Sequence, residues 1–104
     1  MLRVIRWKVT HAATGDRYVL ECAHDSETGL YSLAPVRLPS CPYPVGRGRG
    51  HITEEGLVCV TPGREPRNYS QARAIAMLFV DGFSEYRRTG VFPDDPTRAI
   101  TRDL

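Results

Sequence analysis

The side chains of this sequence that could do chemistry lie mostly between residues 41 and 59. Cys59 sits in the short apolar run Gly56-Leu57-Val58-Cys59-Val60-Thr61, closed by Pro62-Gly63. A run of that kind predicts a short strand, and strand alternation offers the thiol two settings. With Val58 and Val60 inward, Cys59 turns to solvent as a potential nucleophile; with Leu57 and Cys59 inward, it is a small buried hydrophobe, as free cysteines commonly are. Arg47-Gly48-Arg49-Gly50 offers a second chemistry. Glycines let a backbone approach phosphate closely, arginines bind it bidentately, and Tyr43 nearby has a ring to stack on a base. A P-loop is excluded, because no Gly-Lys-Ser/Thr follows. The bland account of the same tract is a solvated loop.

Metal binding is a third possibility. Cys22 and His24, two apart, share one side of an extended segment, while Cys41, His51 and Cys59 converge only if loops bring them together. No Cys-x-x-Cys pair or other compact knuckle spacing occurs, so neither a metal nor any other cofactor is expected. Glu54-Glu55 and Asp94-Asp95 are adjacent pairs whose members point apart in extended chain, unlike two carboxylates flanking one bond. Ser32, Ser40 and Ser70 lack the glycine context of a nucleophile elbow.

Composition narrows the classes further. The chain has 104 residues, 41% of them hydrophobic, which suits one domain with a real core. Three cysteines cannot all pair, so a disulfide scaffold is not expected and a reducing, cytoplasmic setting is. Charge interrupts the apolar residues of Met1 to Arg6 before a signal peptide could develop, and no apolar run approaches the ~18 residues of a membrane span. The net charge of +2 is far below the basic excess of a protein that binds mainly through phosphates. The first fifty residues hold seven basic and four acidic groups, the remainder seven and eight. Arg37 to Gly50 holds three arginines and no carboxylate, so an anion-seeking surface is expected there. Lys8 is the sole lysine, a bias that codon drift in a GC-rich bacterial or phage genome accounts for.

Periodicity supplies the elements that position these residues. Residues 4–10 alternate, with Ile5, Trp7 and Val9 opposing Arg6, Lys8 and Thr10. Residues 17–23 alternate again, with Tyr18, Leu20 and Cys22 opposing Arg17, Val19 and Glu21. Residues 30–38 read as a third strand with Leu30, Ala34, Val36 and Leu38 near one side. Short turns at 13–16 and 25–29 make the three antiparallel neighbours. Pro35, Pro39, Pro42 and Pro44, followed by Gly46, Gly48 and Gly50, then take residues 39–50 out of the sheet as a Pro/Gly/Arg loop. One helix is expected from about Asn68 or Ser70 to Thr89, with Asn68 and Gln71 in a capping arrangement, Arg87 and Arg88 at its negative end and Gly90 as terminator. Its stripe is Ala72, Ile75, Ala76, Phe79, Phe83 and Tyr86, widened by Met77, Leu78 and Val80. Residues 91–104 read as a loosely structured tail.

The run Ile52-Thr53-Glu54-Glu55-Gly56-Leu57-Val58-Cys59 resembles the approach to the active-site cysteine of ubiquitin-conjugating enzymes, with an Ile, a Gly four later and a Cys three after that. Leu33-Ala34-Pro35-Val36-Arg37-Leu38-Pro39 followed by Tyr43-Pro44 is similar to that family's strand and Pro-x-x-Tyr-Pro run. Tyr69-Ser70-Gln71 opening an apolar helix resembles its Trp-Ser-Pro helix start. The resemblance spans Leu30 to Phe83. It implies a UBC-like fold and a Cys59 that carries an activated carboxyl terminus as a thioester, with His51 beside it as the second catalytic residue. Two departures are plain. His51 precedes Ile52 directly, so the Pro and Asn of the family's His-Pro-Asn are absent, and six residues between Pro44 and His51 leave no room for a fourth sheet strand. The family's amino-terminal helix is missing too, and without the Asn the same fold implies an inactive relative that only binds partners.

These readings predict a single α+β domain, an antiparallel meander of three to four strands packed against one long C-terminal helix. The expected function is a small non-enzymatic binding or accessory module whose partner is an unknown protein or a second copy of the chain. The alternatives are the thioester carrier built on Cys59 and His51, and nucleic-acid or nucleotide contact through Tyr43, Arg47 and Arg49. No membrane partner is expected.

Overall fold

The computed structural model describes residues 2–93. Three strands, β1 (Leu2–Thr10), β2 (Arg17–Asp25) and β3 (Tyr31–Arg37), form an antiparallel sheet in the order β1-β2-β3, and one helix, α1 (Tyr69–Thr89), follows. Two tight connections build this meander, closed by Gly15 N–H to His11 O at 2.7 Å and Gly29 N–H to Asp25 O at 2.8 Å.

Register decides which side chains meet the helix. Trp7 pairs across from Leu20, Ile5 from Cys22 and Val9 from Tyr18, while Leu20 faces Pro35 and Cys22 faces Leu33. Tyr18, Leu20, Cys22 and Leu33 are sealed against Ile75, Phe79 and Phe83 of α1. Ile5 shares the face but stays 48% exposed, because the core ends before the outer part of β1. Trp7 is buried with Tyr69 edge-on at 5.4 Å and the Arg73 guanidinium 5.1 Å from its ring, and its Nε1–H has no hydrogen-bond partner among the described residues.

The third strand corrects the sequence reading in phase. Leu33, not Ala34 or Val36, enters the core, and Val36 is 47% exposed. The cause is an irregularity in the β2–β3 ladder: Leu20 pairs with Pro35 but its neighbour Val19 with Arg37, which leaves Val36 as the extra residue of a bulge. Beyond it the alternation resumes one step out, so Leu38 returns to pack on the core. The short strand expected at 56–61 does not form. Ile52 and Val58 make only an isolated bridge, and the sheet stays at three strands.

Helix α1 begins where Asn68 Oδ1 accepts the Gln71 N–H at 2.9 Å, and the Gln71 amide oxygen accepts from Arg67 N–H at 2.9 Å. It ends at Gly90, whose φ of 79° is open to glycine at little cost and whose N–H reaches Tyr86 O at 2.8 Å. The expected stripe from Ala72 to Tyr86 is buried throughout, while Ala74 and Glu85 lie exposed on the back. No helix among the described residues is long and apolar enough to cross a membrane. The tail expectation for 94–104 falls outside the described residues.

Candidate functional site

The segment that carries Cys59 is held by short backbone bonds rather than by regular structure. Thr53 N–H donates to Leu57 O at 2.8 Å, Gly56 N–H to Thr53 O at 3.0 Å, and Leu57 N–H to the Thr53 hydroxyl at 3.1 Å, which makes a tight loop between Ile52 and Val58. Both of those residues enter the core, and Val58 N–H donates to Leu33 O at 2.8 Å, docking the loop on the edge of β3. Cys59 follows, its N–H bonded to His51 O at 2.9 Å. Val58 is therefore inward and the thiol is half-buried, neither sealed beneath α1 nor fully in solvent. Burial, with the Glu55 carboxylate adding to it, pushes the Cys59 thiol above its usual range. His51 and Cys59 are thus brought together through their backbones, while the His51 ring lies 4.2 Å from that of Phe92.

Arg47 and Arg49 are both exposed in a turn closed by Gly46 N–H to Arg49 O at 2.9 Å and its reciprocal at 3.0 Å. Arg47 and His51 hold φ of 54° and 58°, a left-handed conformation that costs a non-glycine residue about 1–3 kcal/mol. Tyr43 is exposed, with its ring 5.9 Å from that of Tyr86 and against Gly90. Cys22 lies in the core, where burial raises its thiol, and His24 stacks on Tyr31 at 4.4 Å. All three cysteines are free, and among the described residues no group of three His, Cys, Asp or Glu side chains is placed to hold a metal ion.

Two arrangements escaped the sequence reading. The first is an ion cluster under the β1–β2 turn. Asp16, only 8% exposed, accepts from Arg88 at 2.6 and 3.1 Å and from Arg87 at 3.0 Å. The Arg88 guanidinium, helped by Ser84, Thr14 and Arg87 against the opposing burial, holds its carboxyl well below the usual carboxylate range. Tyr18 OH meets the Ser84 hydroxyl beside it, and burial raises the phenol to about 12. Arg87 also donates to Ser40 O at 2.6 Å, so one pair of helix-terminal cations ties the turn, the helix end and the start of the long loop together. A turn Asp and a terminal Arg pair were visible in sequence, but nothing there says that they meet.

The second arrangement is the open face of the sheet. Lys8 pairs with Val19 and Val19 with Arg37, and Arg6 and Arg17 stand on the same side. All four cations are exposed, and two adjoining hollows share Lys8, Val19 and Arg37 in their walls. Glu21 is the acid among them, and it is bound to Arg6 at 2.8 Å. Lys8, Arg17 and Arg37 have no ion-pair partner among the described residues. Alternation opposes Arg6 and Lys8 to the apolar residues of one strand and Arg17 to those of the next; the register that brings them onto one face with Arg37 was the missing information.

Comparison with protein-family models, with curated proteins and with solved structures finds no match to this chain.

Proposed function

We propose that this protein is a non-enzymatic binding module whose protein partner docks on the face of the sheet opposite α1. The observation that carries it is the concentration of three exposed cations without an ion-pair partner among the described residues, Lys8, Arg17 and Arg37, with half-exposed Val19 and exposed Val36 between them, on a face that no described element covers. A folded chain gains nothing from gathering like charges, so their placement is best explained by a partner that neutralises them. A photo-crosslinking residue at Val36 tests this in the cell that makes the protein, against the same residue at Glu85 on the exposed back of α1. The reading expects a discrete protein adduct from position 36 that Lys8→Glu with Arg37→Glu abolishes, and none from position 85. Adducts of equal yield from both positions, or none from either, overturn it.

One observation favours a second reading. Val58 is anchored inward and Cys59 half-buried on the loop between β3 and α1, within the stretch Leu30 to Phe83 whose motifs resemble those of ubiquitin-conjugating enzymes. In that reading the Cys59 thiolate attacks the activated carboxyl-terminal thioester of a ubiquitin-like protein and displaces the donor thiol, and an amine later displaces Cys59. The test is a reducible adduct with a charged ubiquitin-like protein, lost in Cys59→Ala and kept in Cys22→Ala and Cys41→Ala. No adduct with the intact chain removes the reading.

A further inference from the structure

The two edges of the sheet are unlike. Along β3 the loop supplies partners, Val58 N–H to Leu33 O and Pro66 O to Tyr31 N–H, both at 2.8 Å. Along β1, nine residues long, every strand pairing goes to β2, and no described backbone bonds to the other side. A long strand with an unpaired edge is a template for one more strand unless charge or a bulge blocks it. Neither a bulge nor a proline interrupts β1, but its charges are all of one sign: Arg3, Arg6 and Lys8.

That sign selects the occupant. A second copy adding its own β1 would set these cations against each other in one ribbon, where like charges oppose pairing. Single-stranded nucleic acid wants rings to stack on, and the open face has none, because Trp7, Tyr18 and Tyr31 all belong to the helix side. An acidic protein segment fits both facts. Alternation then sets its pattern: side chains of an added strand next to Arg6 and Lys8 fall on the cationic face, two residues or about 6.8 Å apart, the one between them falls beside Trp7, and the next one out, past Arg6, falls beside Ile5, which α1 leaves half in water.

We infer that the free edge of β1 binds an extended protein segment in which acidic and apolar side chains alternate, the acids beside Arg6 and Lys8 and the apolar residues beside Trp7 and Ile5. Backbone bonds to β1 supply the docking, and Arg17 and Arg37 behind Lys8 add attraction that salt weakens. This rests on the open-sheet binding reading above and names the chemistry of its partner.

The experiment uses the full chain and a fluorescent Glu-Val repeat of roughly eight residues, the length of an ordinary strand. Its control is a peptide of the same composition with the glutamates and valines in separate blocks. The repeat is expected to bind about tenfold more tightly than the block peptide, with a further loss of about tenfold in Lys8→Glu with Arg37→Glu, and to slow hydrogen exchange in β1 but not β3. Equal affinity for the two peptides overturns the inference, since charge alone would then suffice. Tighter binding of an oligonucleotide than of the repeat overturns it as well, as does a β1-linked dimer that the peptide fails to dissociate. Should position 36 crosslink a partner while the repeat does not bind, this inference fails and the binding-module reading stands; with neither, both fail.

Discussion

On the helix side of the sheet Tyr18, Leu20, Cys22 and Leu33 are sealed beneath α1, while one residue away along the same strands Arg17, Val19, Glu21 and Ala34 look the other way. The first set has aromatic and aliphatic neighbours that exclude water; the second shares its surface with Arg6, Lys8 and Arg37 in solvent. Stability is therefore concentrated on one face and free charge on the other. Substitutions should separate them sharply. Phe83→Ala removes a ring in contact with Tyr18 and Tyr86 and is expected to cost about 3–5 kcal/mol in urea denaturation. Val36→Ala, on the open side, should stay within about 0.5 kcal/mol. Comparable losses from the two would mean that something covers the open face.

The ion cluster is a polar counterpart of the apolar side. Asp16→Ala leaves Arg87 and Arg88 without their carboxylate and is expected to cost about 2 kcal/mol, below the penalty at a deeply buried pair because Arg88 is 43% exposed. Its pH dependence has a defined sign. Asp16 titrates lower in the folded chain than in the unfolded one, so its contribution is complete above the unfolded value near 3.9 and is lost as pH falls toward the folded value. Tyr18 gives the opposite limb. Its phenol is raised from 10.0 to about 12, so the stability it confers is complete below about pH 10 and declines between there and 12. Chemical denaturation across pH should show Asp16→Ala flattening the acid limb alone and Tyr18→Phe the alkaline limb alone. Unchanged limbs would place the groups in solvent.

Gly82 sharpens the contrast by a smaller amount. In an exposed helix interior Gly→Ala gains about 1 kcal/mol. Here a Cβ would overlap the Phe92 ring, which folds back over the helix from beyond Gly90, and Gly82→Ala is expected to lose about 1–2 kcal/mol instead. Phe92→Ala in the same chain should recover the ordinary gain relative to Phe92→Ala alone, which thermal unfolding of the four combinations would read. A gain in the single variant would show that the ring is free to move.

What could be read from the residues was local. Period-two alternation located β1 and β2 within two residues, and the Asn68, Gln71 and Gly90 signals bounded α1, because caps and alternation are properties of neighbouring residues. The phase of β3 was misread since a bulge at Val36 depends on how β2 and β3 are paired, and no run of residues 30–38 records that. The strand expected at 56–61 was misread for a related reason: its apolar residues dock on β3 through one bond from Val58 instead of forming a ladder. Cys59, His51, Tyr43, Arg47 and Arg49 were all singled out by type, yet the cluster at Asp16 and the cationic face were not. Both are assembled by register and by contacts some seventy residues apart in sequence, such as Asp16 with Arg88.

The smallest expected effect bears most directly on the open face. Lys8 and Arg37 flank Val19, with Arg17 near and no described carboxylate paired to any of the three. If these cations held the fold, Lys8→Glu with Arg37→Glu would destabilise it. Their mutual repulsion argues the reverse. The double variant should match or exceed the parent by no more than about 0.5 kcal/mol at low salt, and the difference should vanish near 1 M, where the screening length falls to about 3 Å. Urea denaturation at the two salt concentrations measures this. A loss above about 1 kcal/mol would assign the cations to the fold and end their use as a sign of a partner. Retained stability with lost peptide binding would instead show a surface maintained against self-repulsion for the sake of what docks there.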